Sequence, residues 1–416
     1  MDSIFRPQTL LEDWQCSALE LKFVKLSRSP LDRHARGSGH PEVFEIPGFR
    51  LAPAIANLAG MTFELLYGFP EQHNSVLRSL HHGKGLRGRF FLRQSLAMAL
   101  TVLLLGFSAE VFSQPIKLGY AALTAGQVTA WMAKEGGYLS KYGIEAELIY
   151  IPAVAATQAL IAGEIQLAQV TGVSTAGAIL AGADVRIVAS SLNRLVGFIY
   201  ARPEIKSPEQ LKGKKLGISR FGALSDTAAA IFLERFGLKR GTDVAIIQLG
   251  GLPEIVTAME RGAVQAGFAS PPNSSRARRL GMRELFDLDA LGLELQQTCI
   301  TVTTKYLRER RPLVKSFVQA YGEGLHRFAT DRDFSIQVMK KYLRVEEKDL
   351  LEDAYAAYSP RVQKIPSPTL KGIQFILDEM AEKQPQARKA TPESFVDLSL
   401  LQEIDQSGFF KQLWKN

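Results

Sequence analysis

Cysteine and histidine are scarce in this chain of 416 residues. Cys16 and Cys299 are its two cysteines, and five of its six histidines precede residue 83, so that only Cys299 and His326 follow residue 113. One thiol can form neither an internal disulfide nor a CxxC metal site. One cysteine and one histidine also argue against a zinc centre or a Cys–His nucleophile pair. We therefore expect no metal, no cofactor and no catalytic residues.

Familiar catalytic and nucleotide-binding motifs are absent too. The sequence contains no GxxxxGK[ST], HExxH or GxSxG pattern. The net charge of +8 is spread along the chain, and the densest basic cluster, Arg276, Arg278 and Arg279, is typical of a solvated helix face. Asp287 and Asp289 are the best acid pair, but without a nearby base they too are expected in solvent. These features argue against nucleic-acid binding and acid–base catalysis.

An export signal is present, although far from the first residue. Within residues 83–113 a lead with four basic residues precedes an uncharged, mostly apolar run of 13 residues at 95–107. The sequence Val111-Phe112-Ser113 then supplies a small-x-small cleavage pattern, which places the mature start near Gln114. The run is shorter than the roughly 20 residues that span a bilayer. We interpret residues 76–113 as a signal peptide. Residues 1–75 are an unassigned leader, and we expect translation to begin nearer residue 76 than Met1.

Strands and helices alternate from residue 115 onward. Short β-rich runs at 115–120, 146–151 and 165–170 are separated by helical patterns at 127–142 and 154–162. Such spacing predicts βαβ units and a mainly parallel sheet.

The same order recurs roughly 100 residues later, which indicates a duplicated unit. Strands are predicted at 216–219, 244–249 and 264–269, with helices at 225–236 and 252–261. The segment ALIAGEIQ at 159–166 matches AMERGAVQ at 258–265 most closely. We predict an α/β fold with two related lobes and a cleft between them.

The connections predict how the chain passes between the lobes. Apolar strands at 185–191 and 195–201 lead out of lobe one, and a β-branched run at 299–304 returns to it. After residue 307 the pattern is almost entirely helical, and an amphipathic end containing Phe409, Phe410, Leu413 and Trp414 is expected to pack on lobe one. The predicted domains are lobe one at 114–201 plus 299–416 and lobe two at 202–298.

Four loops that follow predicted strands form the candidate binding site. They lie at 120–127, 171–175, 220–227 and 270–274, are rich in Gly, Ser and Thr, and each begins a helix. In open α/β sheets ligands bind at the carboxyl ends of the strands, where helix N-termini add a partial positive charge. Each hydroxyl alone is better explained as an N-cap, but two loops from each lobe that converge on one cleft favour a binding role. Asp226 argues against a purely anionic ligand unless it faces away, and Arg220 could offset it. The candidate ligand-binding residues, with Tyr120, Asn193 and Phe221 as walls, are Tyr120, Leu123, Thr124, Gln127, Thr171, Gly172, Ser174, Asn193, Phe221, Ser225, Asp226, Thr227 and Ser270.

These segments resemble the substrate-binding proteins of nitrate/sulfonate/taurine-type ABC importers. The resemblance is carried by KLGYAALTAGQVTAWMAKEGGYLSKYGIEAELIYI, ALIAGEIQLAQVTG, SPEQLKGKKLGISRFGALSDTAA and AMERGAVQAGFASPP, and it covers roughly residues 114–416. It implies the type II periplasmic-binding-protein fold, lobes that close on a small polar or anionic solute, and delivery to a membrane permease. The segment AALTAGQVTAW shows no dedicated oxyanion clamp, so the resemblance does not imply that the ligand is a sulfonate or nitrate.

Two other functions were weighed against a periplasmic, monomeric receptor. Enzymes that make the thiamine pyrimidine share the domain, but they need a reactive histidine and a cysteine-rich stretch, which this sequence lacks. A ligand-sensing transcription factor would need a helix-turn-helix in front, and residues 1–90 show no such pattern.

The cleavage pattern generates the first prediction. Protein exported by a bacterial host should begin near Gln114, because signal peptidase reads Val111-Phe112-Ser113. Intact-mass spectrometry and N-terminal sequencing of the exported protein measure this. An exported protein that still carried residues 1–80 would contradict it.

Overall fold

The computed structural model describes residues 115–415 except residue 383. The predicted leader and signal peptide lie outside the described residues. Within the described part, no helix combines the length and the hydrophobicity that crossing a membrane requires.

In the described residues, ten strands form two five-stranded sheets. In the first sheet the order is β2-β1-β3-β10-β4, and in the second it is β7-β6-β8-β5-β9. The strands are β1 (Ile116–Tyr120), β2 (Ala146–Tyr150), β3 (Leu167–Val170), β4 (Val185–Arg194), β5 (Phe198–Ala201), β6 (Lys214–Ile218), β7 (Val244–Gln248), β8 (Ala266–Ala269), β9 (Arg283–Asp287) and β10 (Glu294–Thr303).

Helices cover both sheets and make up most of the C-terminal part. They are α1 (Val128–Glu135), α2 (Tyr138–Lys141), α3 (Ala153–Ala162), α4 (Gly172–Leu180), α5 (Leu224–Arg235), α6 (Leu252–Glu260), α7 (Asn273–Arg279), α8 (Thr304–Glu309), α9 (Arg311–Thr330), α10 (Arg332–Leu343), α11 (Lys348–Tyr358), α12 (Leu370–Met380), α13 (Ser399–Gln406) and α14 (Phe409–Leu413). Short 3-10 turns connect several of them, among them Ala125–Gln127 and Asp289–Leu291.

The two sheets repeat one topology. In each, one strand has a parallel neighbour on both sides: β1 pairs with β2 and β3 as β6 pairs with β7 and β8. An antiparallel strand then pairs with the other edge of β3 or β8. Strand β10 runs antiparallel to β3, and β5 runs antiparallel to β8. The predicted two-lobed α/β architecture is confirmed.

Equivalent glycines lie in β1 and β6, the strands that have a parallel neighbour on each side. A Cβ on Gly119 would lie 2.7 Å from Ile165 Cδ1, and one on Gly217 would lie 2.7 Å from Leu249 Cδ1. Interiors are packed without room for an added methyl group. Glycine therefore lets an apolar side chain lie directly on β1 in lobe one and on β6 in lobe two.

Two sequence predictions differ from the structure. The helix predicted at 127–142 is divided into α1 and α2, because Gly137 adopts a left-handed φ of 75° between them. The strand predicted at 195–201 was expected to belong to lobe one. Its structured part, β5, instead pairs with β8 and β9 in the second sheet. Its apolar composition suits either sheet, so sequence alone did not decide between them.

A buried carboxylate lies where the chain crosses between the lobes. Asp289, between β9 and β10, is only 8% exposed. It accepts a hydrogen bond from Arg194 Nε at 2.6 Å and one from Arg361 Nη2 at 2.6 Å. The expectation that Asp289 is solvated was wrong, because its two arginine partners are far apart in sequence. The guanidinium groups join the end of β4 and the segment after α11 to the return crossing.

The C-terminal segment packs as predicted. Phe410 in α14 is buried in the same hydrophobic cluster as Trp131 and Leu118 of lobe one. The arginines of α7 lie on its exposed face, as expected, and Arg279 pairs there with Asp349 of α11.

Helices α1 and α9 pack closely against each other at Gly324. A Cβ on Gly324 would lie 2.6 Å from the backbone nitrogen of Ala133 and 2.9 Å from the carbonyl oxygen of Thr129. Both neighbours are backbone atoms and cannot rotate away. Because Gly324 has no side chain, α9 can lie directly against the backbone of α1.

This contact generates the second prediction. Alanine favours a helix over glycine by about 1 kcal/mol, but overpacking a core costs about 1–3 kcal/mol. Because backbone atoms block the site, we expect Gly324→Ala to lower the free energy of unfolding, measured by urea titration. Ser316→Ala on the same helix is the control and should leave it nearly unchanged. A stabilised Gly324→Ala variant would contradict the packing argument.

Candidate functional site

One cavity lies where the parallel strands of both lobes end. It contains about 640 Å³ of empty space, its open mouth included. Loops after all six parallel strands contribute to its wall, and strand β10 forms part of its floor. The lining residues are Ala121, Ala122, Thr124, Gln127, Tyr150, Ala153, Thr171, Ser219, Arg220, Ala223, Leu224, Ser225, Gly250, Gly251, Leu252, Phe268, Ser270, Gln297 and Thr298.

Gln127 is held rigidly on the lobe-one side. Its Oε1 accepts hydrogen bonds from the backbone nitrogen of Ala121 at 3.1 Å and from Gln169 Nε2 at 3.1 Å. The carboxamide orientation is thereby fixed, since only an oxygen can accept both. No described group accepts from Gln127 Nε2, which leaves that nitrogen as a hydrogen-bond donor for the cavity.

The lobe-two side is built around the start of α5. The Ser225 hydroxyl accepts from the backbone nitrogen of Ser219 at 2.9 Å and lies 2.7 Å from the Ser219 hydroxyl. The next residue, Arg220, is exposed and is the charged side chain of the cavity wall. Within the described chain, no carboxylate lies at ion-pairing distance from it. Helix N-termini carry a partial positive charge, so Arg220 and the first turn of α5 both place positive charge at this part of the wall.

Thr171 joins two roles that sequence analysis kept apart. It lines the cavity, and its hydroxyl accepts a hydrogen bond from the backbone nitrogen of Ser174 at 3.2 Å as the N-cap of α4. The Thr171 hydroxyl also lies 3.1 Å from the Ser174 hydroxyl, so one of its three hydrogen-bonding positions remains for a ligand. The same side chain therefore begins the helix and faces the cavity.

Tyr150 lines the mouth from the lobe-one side. It is 37% exposed, and its ring lies 5.7 Å from that of Tyr120. Partial burial raises the pKa of the Tyr150 phenol, and the carboxylate of Glu254 raises it further, while Arg220 opposes both. Glu254 and Arg220 belong to lobe two, so the Tyr150 phenol of lobe one interacts electrostatically with charges across the cleft.

Five of the predicted site residues meet at this cavity. They come from all four predicted loops and from both lobes: Thr124, Gln127, Thr171, Ser225 and Ser270.

Four others do not line this cavity, because these residues are used in packing or capping. Tyr120 packs edge-on against Trp131, with ring centroids 5.4 Å apart. Leu123 packs against the lobe-one core. A Cβ on Gly172 would lie 2.8 Å from Gln296 Cβ, so Gly172 serves the close contact of α4 with β10. The Ser174 hydroxyl lies 3.1 Å from that of Thr171.

The remaining four also lie off this cavity. Asn193 donates to the carbonyl oxygen of Ser367 at 2.7 Å, and its Oδ1 accepts from Ser190 at 2.6 Å. Phe221, Asp226 and Thr227 line a separate groove with Arg240. There Asp226 pairs with Arg240, which also lies over the Phe221 ring. Asp226 thus faces away from the cavity.

Sequence analysis missed the loops after the second strand of each lobe. Tyr150 ends β2 and Ala153 follows it, while Gly250, Gly251 and Leu252 follow β7. The duplication supplied the missing signal, since the end of every parallel strand reaches the same sheet edge. Gln297 and Thr298 carried no such signal, because β10 enters this sheet from the opposite direction.

The described nucleophile candidates lie apart from the cavity wall. Burial raises the pKa of the Cys299 thiol to about 12, although Thr301 and Thr175 oppose it, so the reactive thiolate is suppressed. His326 packs against Trp414, with ring centroids 4.8 Å apart. Within the described residues, no group of three or more His, Cys, Asp or Glu side chains has a metal-binding arrangement.

The chain resembles known binding proteins. Residues 127–333 match the family model described as NMT1/THI5 like. A protein of Brucella abortus strain 2308, named as a candidate binding protein, is 25% identical over 268 residues, covering 63% of this chain and 82% of the relative.

Solved structures share the fold. The alkanesulfonate-binding protein of Xanthomonas axonopodis pv. citri, bound to MOPS, has a TM-score of 0.59 and 19% identity, covering 68% of this chain and 98% of that one. The periplasmic nitrate-binding protein of Synechocystis PCC 6803 has a TM-score of 0.59 and 15% identity, covering 70% and 88%. The ligand-binding component of an ABC-type import system from Staphylococcus aureus has a TM-score of 0.59 and 17% identity, covering 70% and 99%. The periplasmic-binding-protein fold is confirmed.

The third prediction concerns Cys299. Because its thiol is fully buried and its pKa is raised to about 12, iodoacetamide at pH 8 should leave it unmodified in the folded protein and label it once urea unfolds the chain. Mass spectrometry of the residue 114–416 protein counts the modified thiols. Rapid labelling of the native protein would contradict the burial.

Proposed function

We propose that this chain, whose residues 127–333 match an NMT1/THI5-like domain, is an extracytoplasmic receptor that captures a small polar or anionic molecule for an ABC importer. The ligand would be held between the lobes, returned unchanged, and delivered to a membrane permease. The receptor would act as a monomer after removal of the signal peptide. The proposal includes no catalytic residue and no cofactor.

The cavity between the lobes is the observation that carries this proposal. Its wall combines hydroxyls and amides from both lobes with a patch formed by Leu224, Leu252 and Phe268. Mostly apolar walls with a few convergent polar groups are typical of small-molecule sites. A ligand that touches both lobes stabilises their closed arrangement, since binding shifts a conformational equilibrium only through differential affinity.

The charges of the wall favour an acceptor or anionic group on the ligand. Arg220, the start of α5 and Gln127 Nε2 all present donors, and no acidic side chain belongs to the cavity wall as the described residues form it. Asp226 adds no negative charge to the cavity wall, because it pairs with Arg240 in the separate groove. Two proteins of the same fold are named for sulfonate and nitrate binding, which agrees with this preference.

The enzyme alternative has little support from the residues. A thiamine-pyrimidine-forming enzyme would need a reactive histidine and thiols close to its substrate. The described chain offers Cys299, whose thiol pKa is raised by burial, and His326, which lies against Trp414. We therefore propose binding without turnover.

The fourth prediction tests the receptor directly. A thermal-shift screen of alkanesulfonates, nitrate, aromatic acids, pyrimidines and amines should reveal at least one acidic ligand that raises the unfolding temperature. Arg220→Gln should weaken that ligand by about ten- to a hundredfold, since hydrogen bonds to charged groups contribute about 1.5–3 kcal/mol. Ser225→Ala and Thr171→Ala should weaken it by about tenfold each while the protein stays folded.

Thr227→Ala is the matched control, since it removes a hydroxyl from the first turn of α5 that does not line the cavity. Affinity is measured by calorimetry, and mass spectrometry of the eluted ligand checks that it is unchanged. Product formation would refute the receptor. Full affinity in Arg220→Gln, Ser225→Ala and Thr171→Ala together would place the site elsewhere.

A further inference from the structure

Three hydroxyls from distant parts of the chain meet at the cavity floor. Thr124 Oγ1 lies 3.0 Å from Ser270 Oγ and 3.1 Å from the hydroxyl oxygen of Tyr358. Thr124 and Ser270 line the cavity, whereas Tyr358 stands behind them. Their exposed fractions are 6%, 1% and 1%, so bulk water does not satisfy these groups. Each hydroxyl carries one proton, and the directions of the hydrogen bonds at Thr124 can therefore be worked out.

The proton of Thr124 is fixed by a carbonyl. Thr124 Oγ1 lies 2.8 Å from the carbonyl oxygen of Pro271, which can only accept a hydrogen bond. Two oxygens at that distance repel each other unless a proton lies between them. Thr124 therefore donates to Pro271 and has no second proton for its other two neighbours.

The protons of Ser270 and Tyr358 follow from this. Since Thr124 cannot donate to either, both hydroxyls donate to it, and its two lone pairs are then filled. The Tyr358 oxygen in turn accepts from Gln297 Nε2 at 3.5 Å. With its proton committed to Thr124, Ser270 can offer the cavity only lone pairs.

A second floor hydroxyl has the same polarity. Thr298 Oγ1 donates to the carbonyl oxygen of Gly126 at 2.9 Å, which commits its proton as well. The amide of Gln297 is occupied too, because Val196 donates to its Oε1 at 2.5 Å and the Val196 carbonyl accepts from its Nε2 at 3.2 Å. The floor thus presents acceptors, whereas Gln127 Nε2 and Arg220 present donors elsewhere on the wall.

We propose that Ser270, oriented by Thr124, selects ligands that carry an N–H or O–H group in addition to their anionic group. The ligand would donate to Ser270 at the floor, while its acceptor group faces Arg220. Ser270 then acts as a specificity-determining residue, and Thr124 is the positioning residue that keeps its proton out of the cavity. This inference rests on the proposed function and narrows its ligand class to small hydroxy or amino acids in the broad sense, sulfonates included.

Matched pairs of anions test the selection. Lactate and pyruvate, and likewise 3-hydroxybenzoate and 3-formylbenzoate, differ in offering a donor or only an acceptor at the same position. Calorimetric titration of the residue 114–416 protein should give a Kd about tenfold lower for the hydroxyl member of at least one pair. The inference would be overturned if the carbonyl member bound as tightly as the hydroxyl member in both pairs, or if neither hydroxyl member bound.

Variants of the cluster assign the effect to its source. Ser270→Ala should bring the Kd ratio within a pair close to one. Thr124→Val removes the acceptor, frees the Ser270 proton for the cavity, and should lower the ratio at least fivefold. Thr124→Ser keeps the hydroxyl and should preserve the ratio, and circular dichroism checks that every variant is folded. A ratio that survives Ser270→Ala, or one that Thr124→Ser and Thr124→Val reduce equally, would refute the assigned roles.

A ligand-free measurement tests the proton directions independently. Tyrosine labelled with ¹³C at Cζ reports hydroxyl exchange by NMR, and Tyr358→Phe identifies the signal. Thr124→Val should speed exchange of the Tyr358 proton at least tenfold, whereas Ser270→Ala should leave it slow. The opposite pattern would mean that Tyr358 donates to Ser270, and the inference would fail. If these directions hold and the wider screen finds only donor-free ligands, the ligand class fails while the receptor stands; if no compound binds, the receptor fails as well.

Discussion

The hydrogen bond from Thr124 to the Pro271 carbonyl joins the two lobes at the base of the cavity. Thr124 belongs to the loop after β1, and Pro271 to the loop after β8. The backbone nitrogen of Ala125 reaches the same carbonyl at 3.3 Å, and Asn273 Nδ2 donates to the Leu123 carbonyl at 3.0 Å. Contact between two loop backbones leaves little freedom, so the position of the floor and the directions of its hydroxyl protons both depend on this junction.

Sequence reasoning predicted the architecture well because it depends on local, periodic signals. The alternation of β1, α1 and β2 is visible in hydrophobic spacing, and its recurrence at β6, α5 and β7 identified the second lobe. Thr124, Gln127, Thr171, Ser225 and Ser270 could be placed at the cavity because they follow parallel strands, and the ends of such strands share one edge.

The remainder of the site depends on contacts that no local pattern encodes. Ser225 and Asp226 are adjacent on α5, yet one lines the cavity and the other pairs with Arg240, because a helix rotates successive side chains by about 100°. The local sequence predicted a solvated Asp289, but in the folded chain Arg194 and Arg361 pair with it from segments distant in sequence. Gln297 and Thr298 became floor residues only because β10 pairs with β3 from the opposite direction.

The pairing of β4 with β10 has a consequence for the motion of the molecule. Arg194, at the end of β4, is the register partner of Glu294, at the start of β10. The two strands are thus the arms of one long β-hairpin, and the second sheet with its helices is an insertion into the tip of that hairpin. Both ends of the insertion lie side by side, so the inserted part can tilt through dihedral changes in a few residues at the tip, while the hairpin below keeps its hydrogen bonds.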